Sequence, residues 1–384
     1  MKVHGLFVNN STGRILISGL AILVLVSGLV FSPIFTGRSS FTAEAASCSP
    51  ITKKVLLIAD ENIVQIAPDN GLTLGGRWYN AMTWNGTIPG PVISLTQGDC
   101  LGITVTNNGR AIHTLDFHAG NGPSNAIGCG DLANHVIPPG ATVNCTLHAV
   151  TPGAFMYHCA GDAIFGIWDH IANGMYGGIV VHPRVETPAK EFYMVFGEIY
   201  PNSNLPGKDN PASFDLTRLK ADNPEHILTN GLAFKYVTQI GTTPPFVLNG
   251  LPPNPAVQFF KVKPGELTRW YIVNAGPNDD VAFHFISGLI SMHDGLQGAG
   301  GVGSGQLGTQ LTNDETWNIP AGSASVIEST FPEKGIYVGV DHSMKDVIKG
   351  GAFIVEASPL STGMDHPKGT WVPPQGSTRV TDNR

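Results

Sequence analysis

The sequence predicts an all-β protein of two tandem antiparallel β-sandwich domains, and three observations predict it. The 384 residues include 47 Gly and 28 Pro with frequent Val, Ile, Thr and Phe, the composition of many short strands joined by turns. Strand-like apolar runs alternate with those turns along most of the chain, as in a sandwich. Segments of the first half recur in the same order in the second half, and order repeated at this length means duplicated domains rather than a short-period solenoid.

The elements follow in chain order. Lys2 and Arg14 precede the apolar run "ILISGLAILVLVSGLVF" at Ile15–Phe31, and "AEAAS" at Ala43–Ser47 offers the small residues of an export cleavage site. Residues 1–46 are read as a signal peptide or an N-terminal anchor, since the run approaches membrane-spanning length. The folded part is therefore expected to be periplasmic or otherwise exported. Domain one is placed at 51–183 and domain two at 190–357. "WNGTIPGP" (Trp84–Pro91) is echoed by "LNGLPPNP" (Leu248–Pro255), and "GDCLGITVTNNG" from Gly98 by "GELTRWYIVNAG" from Gly265. "DFHAG" (Asp116–Gly120) resembles "FHFISG" (Phe283–Gly288), and "PGAFMYHC" (Pro152–Cys159) resembles "KGIYVGVDHS" (Lys334–Ser343). A Gly-rich insert, "GLQGAGGVGSGQLG", interrupts domain two at about 295–308. The polar, Pro-rich residues 358–384 read as an extended tail. A formal charge of −7 without basic runs argues against a nucleic-acid partner.

One stretch, "MYHCAGDAIFGIWDHIANGM" (Met156–Met175), carries the chemistry. It sets His158 directly beside Cys159 at the end of a strand-like run. Neighbours on a strand point to opposite faces, so the two cannot easily bind one ion, but they can bind two. Cys159 finds partners on its own side in His170 and Met175 downstream and His113 upstream. Two imidazoles, a thiolate and a weak axial thioether form a blue-copper electron-transfer site. His158 is joined by His118, which follows Asp116. In domain two His342 occupies the repeat position of His158, with Ser343 in place of Cys159, and His284 that of His118. Domain two therefore lacks a thiolate site but keeps two imidazoles. The remaining cysteines, Cys48, Cys100, Cys129 and Cys145, permit three full pairings in an oxidising compartment.

Taken together, "WNGTIPGP", "HTLDFH", "YHC", "HIANGMYG", "FHFI", "ETW" and "VDHS" resemble the copper-containing nitrite reductases, over about 51–357. The resemblance implies two tandem cupredoxin-like Greek-key domains and two coppers per subunit. It implies a type 1 copper on His113, Cys159, His170 and Met175 that accepts electrons. It implies a type 2 copper on His118, His158 and the His342 of a neighbouring subunit in a homotrimer. By the same resemblance Asp116 and His284 are catalytic, Ile286 lies over the substrate and Thr316 supports His284. The implied reaction is the denitrification step from nitrite to nitric oxide, with the electron passing through Cys159–His158. A small redox protein, a c-type cytochrome or a single-domain cupredoxin, would be the donor. The loop from Cys159 to His170 is longer than in the best-known members. A laccase-like oxidase would need paired H-x-H motifs, which the sequence lacks. A pure electron carrier would have no use for His118, His158 and His342, and a zinc hydrolase none for the adjacent thiolate.

Overall fold

Period-two alternation sets the first strand. In β1 (Lys53–Ala67) Val55, Leu57 and Ala59 face a core while Lys54 and Leu56 face solvent. The computed structural model describes residues 48–69, 75–120, 126–127, 136–161, 166–237, 258–292, 313–360 and 381–382. The export segment, Cys129, the echo at 248–255, the Gly-rich insert and most of the tail lie outside the described residues. Among the described residues no helix is long and apolar enough to cross a membrane.

The first half forms two sheets. One runs β2 (Arg77–Trp84), β1, β4 (Cys100–Asn107), β7 (Thr142–His148), β6 (Ala126–Ile127). The other runs β3 (Ile93–Thr96), β9 (Tyr176–His182), β8 (Gly153–His158), β5 (Asp116–Phe117). The second half repeats this plan. One of its sheets runs β11 (His226–Thr229), β10 (Lys190–Ile199), β13 (Leu267–Asn274), β17 (Ser323–Thr330), β15 (Ile290–Met292). The other runs β12 (Phe260–Val262), β19 (Ala352–Ala357), β18 (Gly335–Asp341), β14 (Val281–Ile286), with β16 (Thr316–Ile319) added at its edge. Apart from β20 (Thr381–Asp382), which pairs with Lys53 and Lys54, each sheet draws its strands from one half. The architecture is two cupredoxin-like β-sandwiches in tandem.

The purely antiparallel expectation is corrected. Each sheet holds one parallel pair: β1 with β4, β3 with β9, β10 with β13, β12 with β19. Connections that cross between facing sheets let two strands of one sheet run the same way, and alternation in a sequence carries no information on strand direction.

Each sandwich has its own core. Leu57, Leu101, Ile103, Tyr157, Ile179 and Val181 lie between the first two sheets. Phe192, Trp270, Phe283, Phe285 and Phe353 fill the second pair. A third cluster joins the halves. Strand β10 sends Phe192, Met194 and Phe196 into its own core and Tyr193, Val195 and Ile199 against Tyr176 and Val180 of domain one. Burial on both faces is why "EFYMVFGEI" reads as a nearly unbroken apolar run. Contact there is close: a Cβ at Gly197 would lie 2.0 Å from the Tyr176 hydroxyl. Cys48 is bonded to Cys100, Cys145 lies in another disulfide, and Cys159 is a buried free thiol.

A buried polar network pins the connection between the domains. Arg269, fully buried, donates to Glu328 (2.8 and 3.0 Å), Glu186 (3.0 Å), Glu191 (3.3 Å) and the Thr187 carbonyl (2.7 Å). The Tyr271 hydroxyl sits 3.1 Å from His182 Nδ1 and donates to Glu191 at 3.2 Å. Arg269→Met removes the cation and leaves three carboxylates facing one another. Removing one partner of a buried ion network costs about 3–5 kcal/mol. Chemical unfolding of Arg269→Met at neutral pH should show a loss of that size, and a loss within error of zero would contradict the pinning role.

Candidate metal centres

The end of β8 sorts its side chains between two environments. Tyr157 and Cys159 face the domain-one core, while Met156 and His158 face the other way. The Cys159 N–H donates to the Met175 carbonyl at 3.0 Å, which carries the extended pairing one residue beyond the strand. His113 is fixed by a two-way backbone bridge to Ile137, at 3.1 and 2.7 Å. Helix α1 (Ile167–Ala172) delivers His170, and the following turn returns Met175, whose N–H donates to the His170 carbonyl at 3.0 Å.

Three ligand atoms converge there. Cys159 Sγ lies 3.2 Å from His170 Nδ1 and 3.5 Å from His113 Nδ1, and the two Nδ1 atoms are 3.2 Å apart. Ligands bound to one ion at about 2.0–2.3 Å lie about 3.3–3.7 Å from each other, so the residues fit a shared metal. Met175, fully buried, packs in the same apolar cluster as Cys159. Burial pushes the Cys159 thiol up to about 11, so a bound metal must displace its proton. Burial, with the neighbouring His170, holds His113 down to about 4 and therefore neutral. One thiolate, two imidazoles and a thioether are the soft set that suits copper. The Thr114 and Gly161 N–H groups each point at Sγ from 3.3 Å.

On the opposite face of β8, His118 Nε2 and His158 Nε2 are 3.0 Å apart. Asp116 Oδ2 lies 3.4 Å from His158 Nε2 and 3.9 Å from His118 Nε2. His158 Nδ1 is 3.0 Å from the Cys159 carbonyl. That carbonyl can only accept, which puts the imidazole proton on Nδ1 and leaves Nε2 free to bind a metal. The pair fits two imidazole ligands of an ion with further positions open. In the metal-free chain burial raises the Asp116 pKa, but a protonated His158 ring, donating from Nε2 as well, and the nearby His118 outweigh this and hold it below the usual range.

Domain two carries the matching pair. Phe117 stands opposite Tyr157 and Phe283 opposite Asp341, so the next residues, His158 and His342, are equivalent, as are His118 and His284. The two ring pairs are alike: 5.0 Å between centroids for His118 and His158, 5.3 Å for His284 and His342, both edge to face. His284 Nδ1 faces the Glu315 carbonyl at 2.5 Å and the Thr316 hydroxyl at 3.3 Å. Ile286, two residues along β14, is half exposed, and His342 is exposed. Within one chain, no group of described residues close enough to share an ion contains His342.

Two other clusters could hold a cation, His182–Glu186–Glu191 and Glu198–Asp222–Asp279. Each already encloses a basic side chain, Arg269 in the first and Lys345 in the second. Among residues that sequence reasoning missed, Thr114 and Gly161 act through backbone N–H groups, which no side-chain motif reports.

A family model for multicopper oxidases matches residues 66–186. A copper-containing nitrite reductase of Alcaligenes faecalis is 30% identical over 72% of this chain and 69% of its own length. The chain belongs to the copper-containing nitrite reductase family. A Neisseria gonorrhoeae relative of that name is 32% identical over 72% of this chain, and the match spans 62% of that relative's length. The solved copper nitrite reductase of Nitrosomonas europaea superposes with a TM-score of 0.63 at 29% identity, covering 82% of this chain and 96% of that one. For this family member, Cys159→Ala should abolish the visible thiolate-to-copper absorption of copper-loaded protein while copper on the His118–His158 face is retained. A full visible band in that variant would refute the role of Cys159.

Proposed function

We propose that this protein is an exported enzyme that reduces nitrite to nitric oxide, NO2⁻ + 2H⁺ + e⁻ → NO + H2O. What supports the reading is one observation: His158 and Cys159 are adjacent, yet each belongs to a different ligand cluster. A single peptide thus links an electron-accepting centre to a substrate centre. His113, Cys159, His170 and Met175 hold the first copper, and His118, His158 and a neighbouring subunit's His342 the second. Bound copper supplies a one-electron carrier at the first centre and a Lewis acid at the second.

The chain's own residues do the rest. Cys159 and His158 provide the covalent route between the centres. Asp116, 3.4 Å from His158 Nε2, takes up and passes on protons beside His118 and His158. The neighbouring subunit's His284, beside its His342 and held by Glu315 and Thr316, presents its other nitrogen to the same reaction. Ile286 offers an apolar wall. Exposed Ile112, Val136 and Trp168 lie next to the residues that hold His113 and His170. They suit the docking of a small redox protein, a c-type cytochrome or a cupredoxin. The multicopper-oxidase match favours a second reading, oxygen reduction, but the paired H-x-H motifs of a trinuclear cluster are absent.

The defining experiment loads the protein with copper, looks for two distinct Cu(II) resonances, and measures nitric oxide formed from nitrite under a reductant. A single resonance, or no nitric oxide, would exclude the reading. Asp116→Asn keeps the shape but not the titrating group, and turnover should fall about 10²-fold or more, the scale of a positioned acid–base residue; unchanged rates across pH would remove Asp116 from the reaction.

Subunit sharing has its own test. His118→Ala and His342→Ala chains should each be inactive alone, yet regain activity when co-assembled, because some interfaces then carry three native ligands. Mixed trimers that form but never turn over would rule out a shared site.

A further inference from the structure

His342 combines an exposed imidazole with a backbone held on every side. Its N–H donates to the Ala282 carbonyl at 2.7 Å. Asp341, 1% exposed, accepts two backbone hydrogen bonds on Oδ1, from Ala282 N–H at 2.9 Å and from Ser343 N–H at 3.0 Å. Asp341 N–H in turn donates to the Gly351 carbonyl at 2.8 Å. The carboxylate therefore ties together the residue after His342 and the neighbouring strand β14, which also carries His284. Beyond Ser343, helix α2 (Met344–Val347) is anchored by Lys345, whose Nζ lies 3.2 Å from Asp222 and 2.7 Å from Asp279.

Domain one does this differently. Tyr157 stands at the position of Asp341 and donates its hydroxyl to the Pro91 carbonyl at 2.7 Å, while His158 is steadied by its contacts with Asp116 and the Cys159 carbonyl. Among the described residues His342 has none of those side-chain supports beyond its edge contact with His284, and what the contacts around it fix is its backbone.

We infer that Asp341 is a positioning residue that sets the trajectory of His342, through the two N–H groups it receives rather than through its charge. This rests on the reading of His342 as a ligand of the second copper. Groups that orient a metal ligand change affinity by about 10–100-fold when removed.

The test titrates the full-length metal-free chain with Cu2+ against a competing chelator. It follows the second Cu(II) resonance and, separately, the visible thiolate band. Asp341→Ala should bind Cu2+ at the three-histidine site about 10–100-fold more weakly with the visible band unchanged. Asp341→Asn, which keeps the Oδ1 acceptor, should stay within about threefold of wild type. Wild-type affinity in Asp341→Ala would overturn the inference, as would parallel loss of both centres, which marks a general folding role. Should Asp341→Ala fail to fold, Asp341→Asn still decides: a loss of tenfold or more with an intact band means charge, not hydrogen-bonded position, is what matters. His342→Ala separates the two levels. If it binds Cu2+ like wild type, the ligand reading itself falls; if it loses the metal while Asp341→Ala does not, only the positioning role falls.

Discussion

Successive side chains of an extended strand point to opposite faces, and the candidate chemistry of this molecule depends on that constraint. At the end of β8 it turns two adjacent residues into members of two separate clusters, one in the domain-one core and one on its outer face. Two contacts carry the extended backbone through this point. Cys159 remains paired to Met175 after the strand formally ends, and the His158 ring leans back on the Cys159 carbonyl. A bulge here would rotate one ligand into the other's environment and dissolve both sites.

The duplication explains how the second half can resemble the first and yet do something else. The pairing registers match, so each domain presents a histidine pair in the same edge-to-face arrangement. What differs is the residue after the strand histidine, Cys159 in one and Ser343 in the other, and the residue before it, Tyr157 against Asp341. A single scaffold thus carries a buried cysteine between two imidazoles in one copy and an outward-facing imidazole in the other.

Much of this was legible in the sequence, because ligand types, their order and the repeat are all side-chain information. The equivalence of His158 with His342 follows from matched text alone, and the strand register agrees. Strand direction was not legible, since alternation is the same in parallel and antiparallel pairs. The junction network was not either: Arg269 looks like an ordinary strand residue until Glu186, 83 positions away, is folded onto it. Nor was the low pKa of Asp116, which comes from two imidazoles that approach it only in three dimensions.

The fully buried thiol of Cys159 has a consequence for its own chemical persistence. Thiol–disulfide exchange and oxidation both require an accessible thiolate. Among the described residues the other cysteines are committed to cross-links, Cys48 with Cys100 and Cys145 in a second bridge. A folded, metal-free chain would therefore keep Cys159 as a free thiol under oxidising conditions.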